Sequence, residues 1–344
     1  MSKAKNLLWP SDPRILVRFV FLYVGQGSST IVLVRDKESY KSILVDINLD
    51  SKNGGVNVPN LISDFLDGEK LDVFVNTHPH NDHLRGIVEL SDKVNIVEVW
   101  HSNHKASRKN DEGYKNLNKV INKATREIIL EASNKEQTFG DANYYVLSPD
   151  EYVSDEIETK DPDERDRRVH EQCVVLKFGI NKTWGMITGD ADRNAFEEHI
   201  VKNHRDRLNS VVLAASHHGS RDFFHYDEED DPYLDALSEI DPSCVIISAP
   251  KQGESEWDHP NEDAVKIYKD NVGEENVHHT GVEKHCYIFD IFEDGKYGDV
   301  EHDNGELAKI YGINGDGGGG DDKMAFTERK EKTHIKRSRY AFKI

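Results

Sequence analysis

Cysteine is scarce in this chain: Cys173, Cys244 and Cys286 are the only three in 344 residues. An odd, widely spaced set argues against a disulfide framework and for reduced thiols in a cytosolic setting. Long apolar runs are missing as well. None approaches the roughly 18 residues that a membrane span needs, so no membrane association is expected. The stretch Met1 to Pro10 holds two lysines but no apolar core or cleavage site, which argues against secretion and for a cytoplasmic protein. Positive charge is in short supply, with 44 Lys and Arg against 64 Asp and Glu, a net charge of −20. So acidic a body repels nucleic acid at long range and counts against a broad phosphate-tracking groove. It leaves open a site where metal ions neutralise one phosphate locally. There is no P-loop motif either.

What the chain does have is a concentration of ligand chemistry. The apolar run Leu71 to Val75 reads as a short buried strand, and Thr77-His78-Pro79-His80-Asn81-Asp82-His83 follows it. His78, His80, Asp82 and His83 fall within six residues. A turn at a strand end aims such closely spaced side chains at one point, and Pro79 stiffens it by fixing φ. Imidazole nitrogen with carboxylate oxygen suits zinc, manganese or iron better than calcium or magnesium. The competing reading is a polar, histidine-rich surface loop. Spacing and placement after a strand favour a metal site.

The rest of the chain supplies strands and further polar ends. Arg14 to Val34 carries two β-branched runs around Gly25-Gln26-Gly27 and reads as a hairpin, with the glycines making a turn rather than a phosphate cradle. Ile43-Leu44-Val45 is a third strand closing on Asp46. Leu84 to Leu90 begins a helix, and Val94 to Trp100 is a strand. Asp111 to Ala132 is helical in pattern, with apolar residues recurring at three and four. Asp150 to Arg168 is dense in charge without periodicity and reads as a solvated loop, close enough to His170 to act as a lid. Ile187-Thr188-Gly189-Asp190 is a strand breaking into Gly-Asp, and Val211 to Ser216 a strand ending in His217-His218-Gly219-Ser220. His259-Pro260 opens a helix at Asn261 to Lys269. From Asp294 the pattern decays. These readings give a body over 12–295 and an acidic, Gly-rich linker over 296–322. Residues 323–344 are then a basic tail with eight Lys and Arg against two Glu, expected to be disordered or to meet a protein partner or nucleic acid.

His-x-His-x-Asp-His after a strand resembles the signature of the metallo-β-lactamase fold, an α/β architecture of the αββα sandwich type with one or two metals at its edge. Val24-Gly25-Gln26-Gly27, Leu44-Val45-Asp46, the Thr77–His83 stretch and His217-His218-Gly219-Ser220 narrow the resemblance. They look like the soluble hydrolase domain of the ComEC DNA-uptake proteins and their free-standing relatives. Tyr23 and Ser28 stand where those relatives have Asp. The resemblance implies two divalent metal ions, Zn²⁺ or Mn²⁺. His78, His80 and His170 would hold the first, with His170 open between ligand and exposed strand-edge histidine. Asp82, His83 and His218 would hold the second, and Asp190 would bridge the two. It also implies that Asp46 supports a ligand histidine by hydrogen bond. His217 and His259 would then face the substrate, with His217 and His218 exchangeable in role.

The expected activity is metal-dependent hydrolysis of a phosphodiester in DNA or a nucleotide by a metal-activated hydroxide, in antiphage defence or DNA processing. Two rivals keep their place. One is a hydrolase of a small thioester, lactone or amide with the same ligands. The other is a non-catalytic binding or scaffold protein on a vestigial fold, against which the intact ligand set argues.

Overall fold

Ile15–Phe21 (β1) and Thr30–Asp36 (β2) pair antiparallel, as their β-branched runs dictate, and Ser39–Val45 (β3) adds to β2. The computed structural model describes residues 2–104, 112–227, 229–255 and 257–313. Leu71–Asn76 (β4), Ile96–His101 (β5) and Arg126–Ile129 (β6) then extend the sheet in parallel from β3. The second sheet begins with Gln137–Phe139 (β7), Ala142–Ser148 (β8), Val175–Ile180 (β9) and Thr183–Ile187 (β10), joined antiparallel. Val212–Ala214 (β11), Cys244–Ile247 (β12) and Val277–His279 (β13) continue it in parallel from β10. The chain finally returns to the first sheet, where Tyr287–Phe292 (β14) lies beside β1 and Glu301–His302 (β15) beside β14.

Three apolar clusters show how the layers stack. Phe19 and Phe21 of β1 point into a core shared with Val146, Leu176 and Phe178 of the second sheet, so the sheets pack face to face. Gly185 marks how tightly they do so: a Cβ there would lie 2.5 Å from the Phe19 ring. Val20 and Leu22, on the opposite face of that strand, join a core with the helices Lys3–Leu8 (α1), Val58–Leu66 (α2), Ile87–Lys93 (α3) and Glu112–Ile121 (α4). This is the period-two alternation of a strand buried on both faces. On the far side, Met186 and Leu213 pack under Ala195–Ile200, a π-helical turn, with Val201–His204, Asp235–Ile240 and Glu262–Val272. The architecture is an αββα sandwich.

The parallel pairs fix where function can sit. β3 and β4 in one sheet, and β10, β11 and β12 in the other, release their C-terminal loops at one common edge. Asp46, the His78–His83 loop, Asp190, His217 and His218 follow four of those strands directly. Open α/β sheets gather ligand-binding loops at such carboxyl ends.

Several expectations need correction. The acidic 150–168 stretch is ordered as two short helices, Glu151–Glu158 (α5) and Pro162–Arg167 (α6). Val153 and Ile157, four apart on α5, are fully buried and hold it down. The helix expected over 111–132 stops at Ile121, and Ile128 and Ile129 belong to the edge strand β6. The stretch from 296 is not wholly linker: β15 and the helix Glu306–Tyr311 fold back, with Leu307 buried against the α2 layer. At the other end α1, ahead of residue 12, is fixed by Arg18, which grips Asp290 with two bonds of 2.8 and 2.7 Å and donates to the Leu8 carbonyl at 3.0 Å. The basic tail, 323–344, lies outside the described residues.

Candidate metal centre

The ligand loop is built on buried polar contacts. Asp46, at the end of β3, accepts from Thr77 N–H at 2.8 Å and from Thr77 Oγ1 at 2.6 Å. It also accepts from His83 Nδ1 at 2.7 Å. With Nδ1 spent on Asp46, the other ring nitrogen of His83 turns into the site, 3.1 Å from Asp190 Oδ1. The same device orients His218: its Nδ1 donates to the Ser248 carbonyl at 3.0 Å, and its Nε2 faces Asp82 and Asp190, each at 3.5 Å. His78 has Thr77 Oγ1 at 3.2 Å beside Nδ1 and turns Nε2 toward Asp190 Oδ2 at 3.5 Å. Metal-ligating imidazoles are commonly oriented in this way.

Glycines let the loops approach. Gly27 sits at φ +136°, and a Cβ on it would fall 2.4 Å from the Asp82 carbonyl. The Gly25–Gly27 turn therefore braces the ligand loop from outside. Gly189 (φ +51°) leaves no room either, since a Cβ would meet Cys173 Sγ at 2.5 Å; that sulfur accepts the Asp190 N–H at 3.2 Å. His217 and His218 both adopt left-handed backbone, at φ 48° and 57°. Such strain in non-glycine residues costs about 1–3 kcal/mol each and clusters at functional sites.

The donors gather into two groups. His78, His80, His170 and Asp190 offer ligand atoms within 4.8 Å of one another, as do Asp82, His83, Asp190 and His218. Asp190 belongs to both, with Oδ2 toward His78 and Oδ1 toward His83 and His218. Tetrahedral zinc at about 2.0–2.1 Å from its ligands separates them by about 3.4 Å. The spacings of 3.1–3.5 Å around Asp190 match that. His78 Nε2 and His170 Nε2 are buried and without a hydrogen-bond partner. Burial holds His170 down to about 4 and His78 well below the usual range, so both present neutral lone pairs. Burial opposes charge on His83 too, but Asp190 and Asp46 outweigh it and raise that histidine well above its ordinary value. Burial also opposes charge on Asp190, yet the surrounding histidines hold its carboxyl well below the usual carboxylate range. The site therefore favours positive charge beside neutral nitrogen donors, and two divalent cations fit it.

The remaining expected residues line the same cleft, a cavity of about 950 Å³. His217 stands outside both donor groups, with its ring 4.5 Å from His170 and 4.8 Å from His259. His259 lines the cleft and keeps Nδ1 buried without a partner. Sequence reasoning did not single out Thr77, the Ser248 carbonyl, Arg85 or Trp257. Arg85 and Trp257 were within reach, lying two residues from His83 and His259. Thr77 and Ser248 act through contacts that only the fold creates.

Residues 25–172 match the Metallo-beta-lactamase superfamily model, a span that ends before Asp190 and His217. No curated protein sequence matches the chain. Among solved structures it is similar to CmlA, a diiron beta-hydroxylase from Streptomyces venezuelae, at 11% identity and a TM-score of 0.42. That match covers 76% of this chain and 52% of the other, so the chain spans about half of that relative's length. It is also similar to Zn(2+)-bound PqqB from Methylobacterium extorquens, at 9% identity and a TM-score of 0.43, covering 81% and 91% of the two chains. A diphosphatase from the PhnP family matches at 10% identity and a TM-score of 0.37, covering 83% and 98%. Likeness at these values carries no argument about chemistry.

Proposed function

We propose that this chain, which carries a metallo-β-lactamase superfamily domain, is a metal-dependent hydrolase of phosphodiester bonds in DNA or a nucleotide. The observation that carries the reading is Asp190, whose two carboxylate oxygens face two separate donor groups. His78, His80 and His170 would hold one cation, Asp82, His83 and His218 the other, with Asp190 between them. When bound, such a pair lowers the pKa of a water towards neutrality and stabilises charge on the phosphoryl oxygens.

The chain's own residues then position and exclude. Asp46 and the Ser248 carbonyl keep the Nε2 atoms of His83 and His218 directed inward. His217 and His259 border the donor groups on the substrate side. Burial lowers both, so at neutral pH each offers an uncharged ring to hydrogen-bond a phosphoryl or leaving oxygen. Lys52, Arg85 and Arg221 line the cleft and offer cations to an anionic substrate, alongside Asp50, Asp222 and Asp258. The Val24–Gly27 and His217–Ser220 motifs, in which the chain resembles ComEC-like hydrolases, favour the same bond type.

Chelation followed by return of Zn²⁺ or Mn²⁺ tests this, with a panel of phosphodiesters, thioesters, lactones and amides. The reading expects phosphodiester cleavage that stops and returns with metal. Turnover confined to the other bonds, or none at all, contradicts it.

A further inference from the structure

Two side chains that line the cleft stand outside both donor groups. Trp257 is 68% exposed, more than any other large hydrophobic residue among those described, and it lines the cleft. Its loop is nonetheless braced. Ser255 Oγ donates to Gln26 Oε1 at 2.7 Å and accepts the Trp257 N–H at 3.1 Å. Asn261 donates to the Asp258 carbonyl at 3.0 Å and accepts the Arg221 N–H at 2.8 Å. An indole held in water forgoes apolar burial in the free protein, which a planar ligand would restore.

Arg85 lines the same cleft, is exposed, and has no ion pair or side-chain hydrogen bond among the described residues. Among the described residues Arg207 likewise has no ion pair, but it does not line the cleft. Arg14, Arg18, Arg35, Arg168, Arg193 and Arg205 all pair with a carboxylate.

We propose that Trp257 stacks on a nucleobase beside the phosphate in the metal cleft while Arg85 takes a neighbouring phosphate, making single-stranded nucleic acid the substrate class. The proposal rests on the phosphodiester reading. A duplex keeps its base faces stacked away from an indole at a cleft, whereas a single strand offers them. The acidic body also disfavours the dense charge of a duplex.

Fluorescence anisotropy of the metal-loaded full chain tests this with two labelled single strands of equal length. Both carry slowly hydrolysed phosphorothioate linkages, and one has every base replaced by an abasic linker. The wild type is expected to bind the base-bearing strand about tenfold more tightly. Trp257→Ala brings that ratio near one, and Trp257→Phe restores most of it. Arg85→Ala weakens both strands alike and reduces the salt slope by about one. No preference in the wild type, or a preference unchanged in Trp257→Ala, overturns the proposal; a protein docking on the indole would give the first result. Hydrolysis is read separately on ordinary linkages. Preferential binding without cleavage removes the proposed function and leaves the stacking platform standing. Cleavage of both strands at equal rates does the reverse.

Discussion

His83 Nδ1 lies 2.7 Å from Asp46 Oδ2, and that one contact decides which ring nitrogen of His83 meets Asp190. Asp46 is buried and accepts from Thr77 as well, so both its oxygens serve the ligand loop. An amide in its place would set an N–H against a donor. Asp46→Asn is expected to weaken metal binding about 10–100-fold. Competition with a chromophoric chelator measures this, and unchanged affinity would show that Asp46 has no share in orienting the ligand.

Gly27 and Gly68 separate close approach from backbone strain. Both have positive φ, but a Cβ on Gly27 would strike the Asp82 carbonyl, whereas Gly68 has nothing within 4 Å. Gly68→Ala should cost about 1 kcal/mol, the left-handed penalty alone. Gly27→Ala should cost more, about 2–4 kcal/mol, and disturb the Asp82 side of the site. Urea unfolding of both variants checks the order.

Lys177 gives a pH dependence away from the metal centre. Its side chain is 2% exposed, and burial lowers its pKa from 10.5 to about 7. Nζ donates to the carbonyls of Arg207 and Asn209 and lies 4.7 Å from the Trp184 ring, contacts that moderate the penalty on charge. Between about pH 7 and 10.5 the unfolded chain holds a proton on Lys177 that the folded chain releases. Stability from this residue therefore rises with pH through that window and is lost as pH falls towards 7. Lys177→Met removes the titration. The stability of wild type relative to Lys177→Met should increase from pH 7 to pH 9.5 in urea unfolding, and a flat difference would mean that Lys177 stays charged.

The tail bears on long substrates. Residues 323–344 carry a net charge of +6, which leaves −26 on the rest of the chain. Tethered cations raise the local concentration of a polyanion, an effect that salt weakens. Removing 323–344 should lower the rate on long DNA relative to a small phosphodiester at low salt, with the two ratios converging as salt rises. A ratio independent of the truncation across the salt series would assign the tail to another partner.

How much of this was legible beforehand depended on whether local pattern or tertiary contact decided the outcome. His78–His83 could be read because ligand spacing on one turn is a local property. The hairpin of β1 and β2 followed from β-branched runs. Ile128 and Ile129 misled because their spacing continues the helical pattern of α4, while pairing with β5 claims them as an edge strand. The 150–168 stretch misled because charge density hid Val153 and Ile157, whose spacing of four is one helical turn. The resemblance placed His218 among the donors and His217 toward the substrate, but left the two exchangeable, because local spacing does not separate them. Their separation depends on left-handed backbone at both residues and on the Ser248 carbonyl from another strand end.

The central claim is that two cations share Asp190 and that phosphodiester cleavage depends on both. Stripped protein titrated with Zn²⁺ or Mn²⁺, with bound metal and cleavage rate followed together, tests it most directly. The account predicts that activity rises to a plateau at two metal ions per chain and that Asp190→Asn loses both the second ion and the activity. Full activity at one ion per chain, or cleavage persisting in chelator with no metal bound, would contradict it.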